Sequence, residues 1–341
     1  MAEAAREAAH RPRYRRIAVE EGFTIPEIAA AAARLAGPDA LGRPPAGARR
    51  GALMETLADL GAGRIRAMDS DGIALQLLVL SAPGVQIFDA AEGMALARLA
   101  NDRLAEAVRA APGRLAGLAA LAPQDPAGAA AELERAVGRL GLKGAVINSH
   151  THGAYLDAPR FWPIFEAAQA LDVPVYIHPR DPAPGLAGPL DLDGFRIGWG
   201  FGIETGTHII RLIAGGVFDA FPRLRIVIGH LGEGIPYCLE RIDNRYLWEY
   251  GMTGATRRLK RLPSEYVRDH IVVTTSGMNF RHPLTMAVAL LGAEAVLFAA
   301  DYPFEDVGAA VEAMDALPLT EAQKAMIYHG NARRVFRLDD R

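Results

Sequence analysis

Eight short runs of β-branched and other apolar residues are spaced along the chain, and most are separated by longer Ala-, Leu-, Glu- and Arg-rich stretches with helical periodicity. This alternation is typical of repeated β–α units. Such units build a parallel sheet, because each helix carries the chain back to the start of the next strand. The runs are 16–22, 75–81, 115–121, 144–149, 174–179, 225–230, 271–276 and 296–302.

The number and order of these units favour an α/β fold of the (β/α)8 TIM-barrel type. No Gly-rich dinucleotide fingerprint follows the first strand, which argues against an open nucleotide-binding sheet. Two stretches rich in Gly and Pro, 37–52 and 181–200, interrupt the alternation as irregular insertions. The second directly follows the fifth strand, so we expect it to cover the C-terminal face of the strands, where barrel enzymes carry their sites.

Composition limits the classes of partner and the number of domains. With 341 residues, half of them apolar, the chain can bury one large core, so we expect a single domain over 15–341 after a flexible arm over 1–14. A net charge of -3 gives no basic surface for nucleic acid, and no apolar run reaches the roughly 18 residues of a membrane span. The single Cys238 cannot form an internal disulfide, which suits a reducing compartment. We expect a cytoplasmic protein that binds neither nucleic acid nor a membrane.

Metal-compatible or acid–base side chains stand at the ends of four predicted strands. Glu20 and Glu21 lie in IAVEEGF, His178 in VYIHP, His230 in IVIGH and Asp301 in LFAADYP. A lone histidine at a strand end is more often structural, but strand ends of a barrel converge on one axis, and buried charges there need compensation. The constellation therefore predicts a nitrogen- and oxygen-liganded site for zinc, manganese or iron.

Six segments in the order RIAVEEGF, INSH, YIHP, GFGIETG, GHLGE and DYPF resemble the amidohydrolase-2 family of decarboxylases, and the resemblance runs from about residue 15 to 336. Within that family the chain is most similar to the 5-carboxyvanillate and γ-resorcylate branches. The resemblance implies one divalent ion, Mn²⁺ or Zn²⁺, bound by Glu20, His178 and Asp301, with His230 close by as a proton-handling residue. Gly22 stands where many relatives have a histidine, which implies one protein ligand fewer.

The same resemblance implies a set of substrate contacts. Arg64, in GAGRIRAMD, would pair with the substrate carboxylate, with Arg66 as the competing choice, and Phe201 would form an aromatic wall. Phe304, in DYPF, is similar to the resorcylate branch, whereas the carboxyvanillate branch carries a tyrosine. Arg241, in CLERID, would be supplied across a subunit interface, which implies a homodimer or homotetramer.

Together these features predict a metal-dependent, non-oxidative decarboxylase of an ortho-hydroxylated aromatic acid of the 5-carboxyvanillate or dihydroxybenzoate type. Asp301 would protonate the ring carbon that carries the carboxylate, and His230 would tune or reload it. The alternative is a mononuclear hydrolase in which the same residues activate water for attack on a lactone, ester or amide. Strand one lacks an H-x-H motif and strand four ends without a lysine, so a dinuclear hydrolase is disfavoured. A third hypothesis is a barrel that binds ligands without catalysis.

Overall fold

The computed structural model describes residues 13–36, 48–256 and 258–339. Each of the eight predicted runs contains a strand, so this prediction is confirmed. One run, 115–121, is divided into two short strands at Leu118. The strands are β1 (Ile17–Phe23), β2 (Leu75–Leu80), β3 (Leu115–Gly117), β4 (Ala119–Ala120), β5 (Ala145–Asn148), β6 (Val175–His178), β7 (Ile226–Ile228), β8 (Ile271–Thr274) and β9 (Val296–Leu297).

Neighbouring strands pair in parallel, in the order β1-β2-β3 and in the order β4-β5-β6-β7-β8-β9. Backbone hydrogen bonds join the two groups at both sides. Leu118 N donates to Leu78 O at 3.0 Å, and Val19 N donates to Phe298 O at 3.0 Å. The first strand therefore lies beside the last, and the strands form the predicted (β/α)8 barrel.

Strands β1, β2, β5, β7 and β8 are buried along their whole length. A parallel strand inside a barrel is covered by the interior on one face and by helices on the other. For this reason the strands appear in the sequence as continuous apolar runs and not as an alternation of apolar and polar residues. A polar side chain in such a strand is consequently conspicuous, and β1 carries two, Glu20 and Glu21.

Helices follow most strands and pack around the barrel. Several begin at an aspartate that accepts a hydrogen bond from the first turn, as Asp89, Asp125 and Asp306 do. They are α1 (Pro26–Ala36), α2 (Ala48–Ala58), α3 (Ala62–Asp71), α4 (Ala90–Ala110), α5 (Pro126–Gly138), α6 (Trp162–Leu171), α7 (Pro184–Leu190), α8 (Gly202–Ala214), α9 (Val217–Ala220), α10 (Ile235–Thr253), α11 (Pro263–His270), α12 (Arg281–Leu291), α13 (Val307–Asp315), α14 (Glu321–Ala325) and α15 (Asn331–Phe336).

The stretch 181–200 is tied to the loop after β5 and to α8. His150 Nε2 lies 3.0 Å from Asp181 O, and Ala183 N donates to Glu204 Oε2 at 2.9 Å. The stretch contains α7 and runs into a π-helical turn, Arg196–Phe201, so it is less irregular than predicted. It covers the C-terminal face beside β5 and β6, as expected. The other predicted insertion falls largely outside the described residues, since 37–47 are not among them and 48–52 begin α2.

Residues 1–12 of the predicted N-terminal arm lie outside the described residues. The next two contact the C-terminal helical region: Arg13 pairs with Glu321 at 2.6 Å, and Tyr14 stacks on Tyr328 with ring centroids 5.3 Å apart. Within the described part of the chain, no helix is long and apolar enough to cross a bilayer.

Candidate active site

Glu20, His230 and Asp301 share an unusual backbone conformation. Their φ angles are 71°, 51° and 70°, in the left-handed region that residues with a Cβ rarely adopt. Each such residue costs on the order of 1–3 kcal/mol, and residues of this kind cluster at functional sites. At Glu20 the cause is a β-bulge, because the register between β1 and β2 shifts between Val19 and Glu21. Three predicted site residues are thus held where ordinary strand or helix geometry would not put them.

The Glu20 carboxylate is buried and only half satisfied. Its Oε2 accepts hydrogen bonds from Thr274 Oγ1 at 2.5 Å and from Ser276 Oγ. Its Oε1 is buried without a hydrogen-bond partner and lies 4.0 Å from His178 Nε2. A buried carboxylate oxygen without a partner is costly unless a cation completes it. The gap between Glu20 and His178 fits a metal ion bound by both.

The orientation of His178 leaves Nε2 free. Its Nδ1 lies 2.8 Å from Pro179 O, and a carbonyl can only accept, so Nδ1 carries the proton. Burial lowers the pKa of His178, although the charge of Glu20 opposes this shift. A neutral imidazole with one nitrogen fixed by a carbonyl is the form in which histidine binds metals.

Asp301 follows β9, beside β1 in the closed barrel. Burial raises the pKa of Asp301 well above its ordinary value, repulsion by Glu20 adds to the rise, and His230 opposes it. Among residues 13–36, 48–256 and 258–339, no three His, Cys, Asp or Glu side chains form a complete ligand set. Two carboxylates without a cation between them repel, so a bound ion would draw Asp301 towards Glu20 and His178. The oxygen and nitrogen donors of these three residues suit a divalent ion such as Mn²⁺ or Zn²⁺.

His230 is paired with a carboxylate that the sequence did not single out. Glu233 Oε1 lies 2.7 Å from His230 Nδ1 across the short turn His230–Glu233. Burial alone lowers the pKa of His230, but the Glu233 charge and hydrogen bond outweigh it and raise the pKa to about 10. His230 is therefore an imidazolium at neutral pH. A glutamate after a strand can equally well cap the following helix, so no sequence pattern distinguishes Glu233 as a partner of His230.

Glu21 has a structural function next to the site. Its two carboxylate oxygens accept hydrogen bonds from Ala300 N and Tyr302 N, each at 3.0 Å. Burial raises the pKa of Glu21 to about 7. The bulge in β1 thus directs Glu21 to the backbone on both sides of Asp301 and fixes that segment.

Comparisons with known proteins show the family of this chain. Residues 44–338 match the amidohydrolase family Amidohydro_2. The chain belongs to this amidohydrolase family. A γ-resorcylate decarboxylase of Polaromonas sp. strain JS666 is 41% identical to it over 297 residues, which are 84% of this chain and 90% of that protein.

Solved structures of amidohydrolases of this kind are similar over nearly the whole chain. The 5-carboxyvanillate decarboxylase of Sphingomonas paucimobilis has a TM-score of 0.90 at 42% identity, covering 95% of this chain and 99% of that one. A dihydroxybenzoic acid decarboxylase of Polaromonas sp. JS666, with bound manganese and the inhibitor 2-nitroresorcinol, has a TM-score of 0.83 at 37% identity, covering 95% and 97%. These relatives support a divalent metal ion in the amidohydrolase described here.

Gly22 leaves no room for a side chain in this amidohydrolase. A Cβ there would stand 2.7 Å from Ser81 Oγ and 3.2 Å from both Leu57 Cδ2 and Phe304 Cε2. This close packing agrees with the expectation that position 22 contributes no metal ligand. It also locates Phe304, half exposed, directly beside the strand that carries Glu20.

Arg64 does not fit its predicted role as the partner of a substrate carboxylate. Its guanidinium has no accessible surface and donates to Asp59 O and Gly22 O at 2.8 Å, to Gln76 Oε1 at 3.1 Å and to Thr56 O at 3.4 Å. These acceptors use four of the five N–H donors of an arginine. The side chain instead joins α3 to β1 and β2, so we do not retain Arg64 as a substrate contact.

Phe201 and Arg241 lie on two different elements. Phe201 ends the π-helical turn, and the Arg196 guanidinium lies 5.5 Å from its ring centroid. Arg241 is exposed on α10, the helix that also exposes Tyr237 and Trp248. The contacts do not connect either residue directly to Glu20 or His178, and their roles stay predictions.

Proposed function

We propose that this amidohydrolase is a manganese-dependent decarboxylase of a benzoate with a hydroxyl group ortho to the carboxylate, of the dihydroxybenzoate class. The observation that carries the proposal is the buried, unpartnered Glu20 Oε1 opposite His178 Nε2, in a site that also holds a protonated histidine. The names of the relatives support the substrate class, since γ-resorcylate is 2,6-dihydroxybenzoate.

Glu20, His178 and Asp301 are the proposed metal ligands. A divalent ion held by them would supply positive charge that stabilises the carboxylate and phenolate oxygens of the substrate. Manganese is favoured because a similar decarboxylase contains it, whereas the same donors also suit Zn²⁺.

Asp301 is the proposed acid, because this carboxyl group interacts electrostatically with His230, which can return a proton to it. It protonates the ring carbon that bears the carboxylate, which interrupts aromaticity and weakens the bond to CO2. The electrons of that bond return to the ring as CO2 leaves. His230, kept charged by Glu233, passes a proton to Asp301 between turnovers in this scheme.

The aromatic residues suggest which ring substituents are accepted. Phe304 presents an apolar ring beside Gly22 and offers no hydroxyl group to a substrate. Phe201 is the proposed opposite wall. Without a hydroxyl at position 304, dihydroxybenzoates are favoured over the methoxy-substituted 5-carboxyvanillate.

We include assembly in the proposal, because α10 exposes Tyr237, Trp248 and Met252 together with Arg241. A large exposed apolar surface on a helix is typical of a subunit interface. In this proposal the protein is a homodimer or homotetramer and each subunit supplies Arg241 to a neighbouring site. Mixing Arg241→Gln with Asp301→Asn protein, each inactive alone, then restores activity, because mixed assemblies contain intact sites; no recovery argues against the shared site.

The main experiment measures CO2 release from 5-carboxyvanillate, 2,6-dihydroxybenzoate and 2,3-dihydroxybenzoate by metal-stripped protein and by protein loaded with Mn²⁺ or Zn²⁺. We expect release that requires metal and is abolished by Asp301→Asn. Asp306→Asn is the matched control, because Asp306 is an exposed aspartate that caps α13. If the protein releases no CO2 at full metal occupancy, the proposal is contradicted. If the same protein hydrolyses lactones or esters, the hydrolase alternative is supported.

A further inference from the structure

Arg180 lies two residues after His178, where β6 ends, and its guanidinium is not fully used. Nη1 donates to His150 O at 3.2 Å, whereas Nε is buried and has no hydrogen-bond partner. Within the described residues no carboxylate lies at ion-pair distance from Arg180. A partly buried arginine that no carboxylate pairs with has charge and donors available for a further acceptor.

Glu204 is one of the two carboxylates whose charge acts on Arg180, and it is already satisfied. It accepts hydrogen bonds from Ser149 Oγ at 3.0 Å, from Tyr155 OH at 2.9 Å and from Ala183 N at 2.9 Å. These three donors hold the carboxylate in place without help from Arg180.

Asp181 is the other carboxylate, and it is engaged on the opposite side. Arg196 Nε and Nη2 both donate to its oxygens, the latter at 2.7 Å. The protein has therefore placed two carboxylates near Arg180 and used both for other donors. What remains is a guanidinium at the C-terminal face of the barrel, under the 181–200 stretch, with the planar fork that binds a carboxylate in two hydrogen bonds.

We propose that Arg180 binds a planar oxyanion of the carboxylate class at the mouth of the barrel. Two sources supply this chemistry: the carboxylate of the aromatic substrate, an assignment that rests on the proposed function, and bicarbonate formed from released CO2, which does not require an aromatic substrate. Arg180 then has the carboxylate-binding role that was predicted for Arg64. Arg64 is unsuited to this role because its guanidinium already donates to acceptors of the protein.

The test compares three probes on Mn²⁺-loaded protein that carries Asp301→Asn to prevent turnover. Calorimetry gives the affinities for 2,6-dihydroxybenzoate and for resorcinol, which has the same ring without the carboxylate, and the shift in melting temperature measures bicarbonate binding. Each is repeated with Arg180→Gln, which removes the charge, and with Arg180→Lys, which keeps the charge and loses the fork. Arg225→Gln is the matched control, because Arg225 is equally half-buried but pairs with Asp172 at 2.8 Å before β7.

We expect Arg180→Gln to weaken 2,6-dihydroxybenzoate binding about ten- to hundredfold, Arg180→Lys to weaken it less, and resorcinol binding and the Arg225→Gln protein to be unchanged. If the Arg180 variants lose only the shift in melting temperature that bicarbonate causes, Arg180 binds bicarbonate and not the substrate carboxylate. The parent protein could instead bind no aromatic acid while bicarbonate still shifts its melting temperature in a way that depends on Arg180. In that case the proposed function is wrong, but the proposed anion site at Arg180 is supported. Equal losses for 2,6-dihydroxybenzoate and resorcinol, no loss with either variant, or no anion binding by the parent protein would overturn the proposal.

Discussion

His230 Nδ1 and Glu233 Oε1 lie 2.7 Å apart in a turn whose four residues all have positive φ angles. This left-handed path folds the glutamate back onto the histidine three residues earlier, where β7 has ended. The Glu233 carboxylate raises the pKa of this half-buried imidazole to about 10, which makes His230 a cation at neutral pH beside Asp301.

The substitution Glu233→Gln removes the charge that raises the pKa of His230, so that pKa falls from about 10 towards or below the ordinary 6.5. At pH 8 the variant histidine is then neutral and cannot supply a proton. We expect kcat to fall tenfold or more with a smaller change in KM, and the alkaline limb of the kcat–pH profile to move to lower pH. Glu240→Gln, an exposed glutamate on α10, is the control. An alkaline limb that does not move would show that Glu233 does not act through His230.

The substitution Gly22→Ala tests the packing beside Glu20, the proposed metal ligand in the same strand. Its Cβ would stand 2.7 Å from Ser81 Oγ, so we expect a loss of about 1–3 kcal/mol in the free energy of unfolding. Ser81→Ala removes the oxygen that collides, so Gly22→Ala should cost less in that background. Urea denaturation of the four proteins gives the coupling energy. Strictly additive losses would mean that Ser81 is not the obstacle.

Glu21 should make stability fall as the pH rises. Its pKa is raised from 4.5 to about 7 by burial, so between these values the folded protein keeps a proton that the unfolded chain has lost. The folded state is therefore penalised increasingly through this window, by roughly 3 kcal/mol in total, and fully above pH 7. Glu21→Gln cannot titrate, so its free energy of unfolding should decline less between pH 5 and 8 than that of the parent protein. The exposed Glu55→Gln serves as control, and parallel curves for parent and Glu21→Gln would refute the assignment.

Arg64→Lys should reduce stability and leave carboxylate recognition intact. A lysine cannot reach all the oxygens that the guanidinium joins, and two or more buried acceptors left unpaired cost about 2–4 kcal/mol in total. We expect a lower melting temperature and an unchanged ratio of affinities for 2,6-dihydroxybenzoate and resorcinol. If the variant is stable and loses affinity only for 2,6-dihydroxybenzoate, Arg64 does bind the substrate carboxylate.

The barrel was predictable from sequence because its strands are covered on both faces. Residues 226–228 and 271–273 are continuous apolar runs, and the polar residues that follow such runs indicate where the strands end at the site. Glu20 and His178 could therefore be expected to meet, and they do, 4.0 Å apart.

Other features of the site depend on contacts that no local sequence pattern predicts. The left-handed conformations of Glu20 and Asp301 arise from the bulge in β1 and from the backbone that Glu21 holds, not from a residue type that prefers them. The family resemblance implied a substrate contact for Arg64, whereas its burial follows from hydrogen-bond acceptors on three other segments. The pairing of His230 with Glu233 required a turn conformation that the letters HLGE do not specify.

The hydrogen bond between Val19 and Phe298 joins the first and the last strand of the barrel, and the proposed metal ligands Glu20 and Asp301 lie just after these two residues. During synthesis on the ribosome, the first ligand emerges long before the last. A nascent chain has no complete set of proposed ligands until its last strand has left the exit tunnel and packed beside β1. With the proposed ligand set, a chain that ends before β9 lacks Asp301, so we expect it to bind the ion more weakly than the full chain.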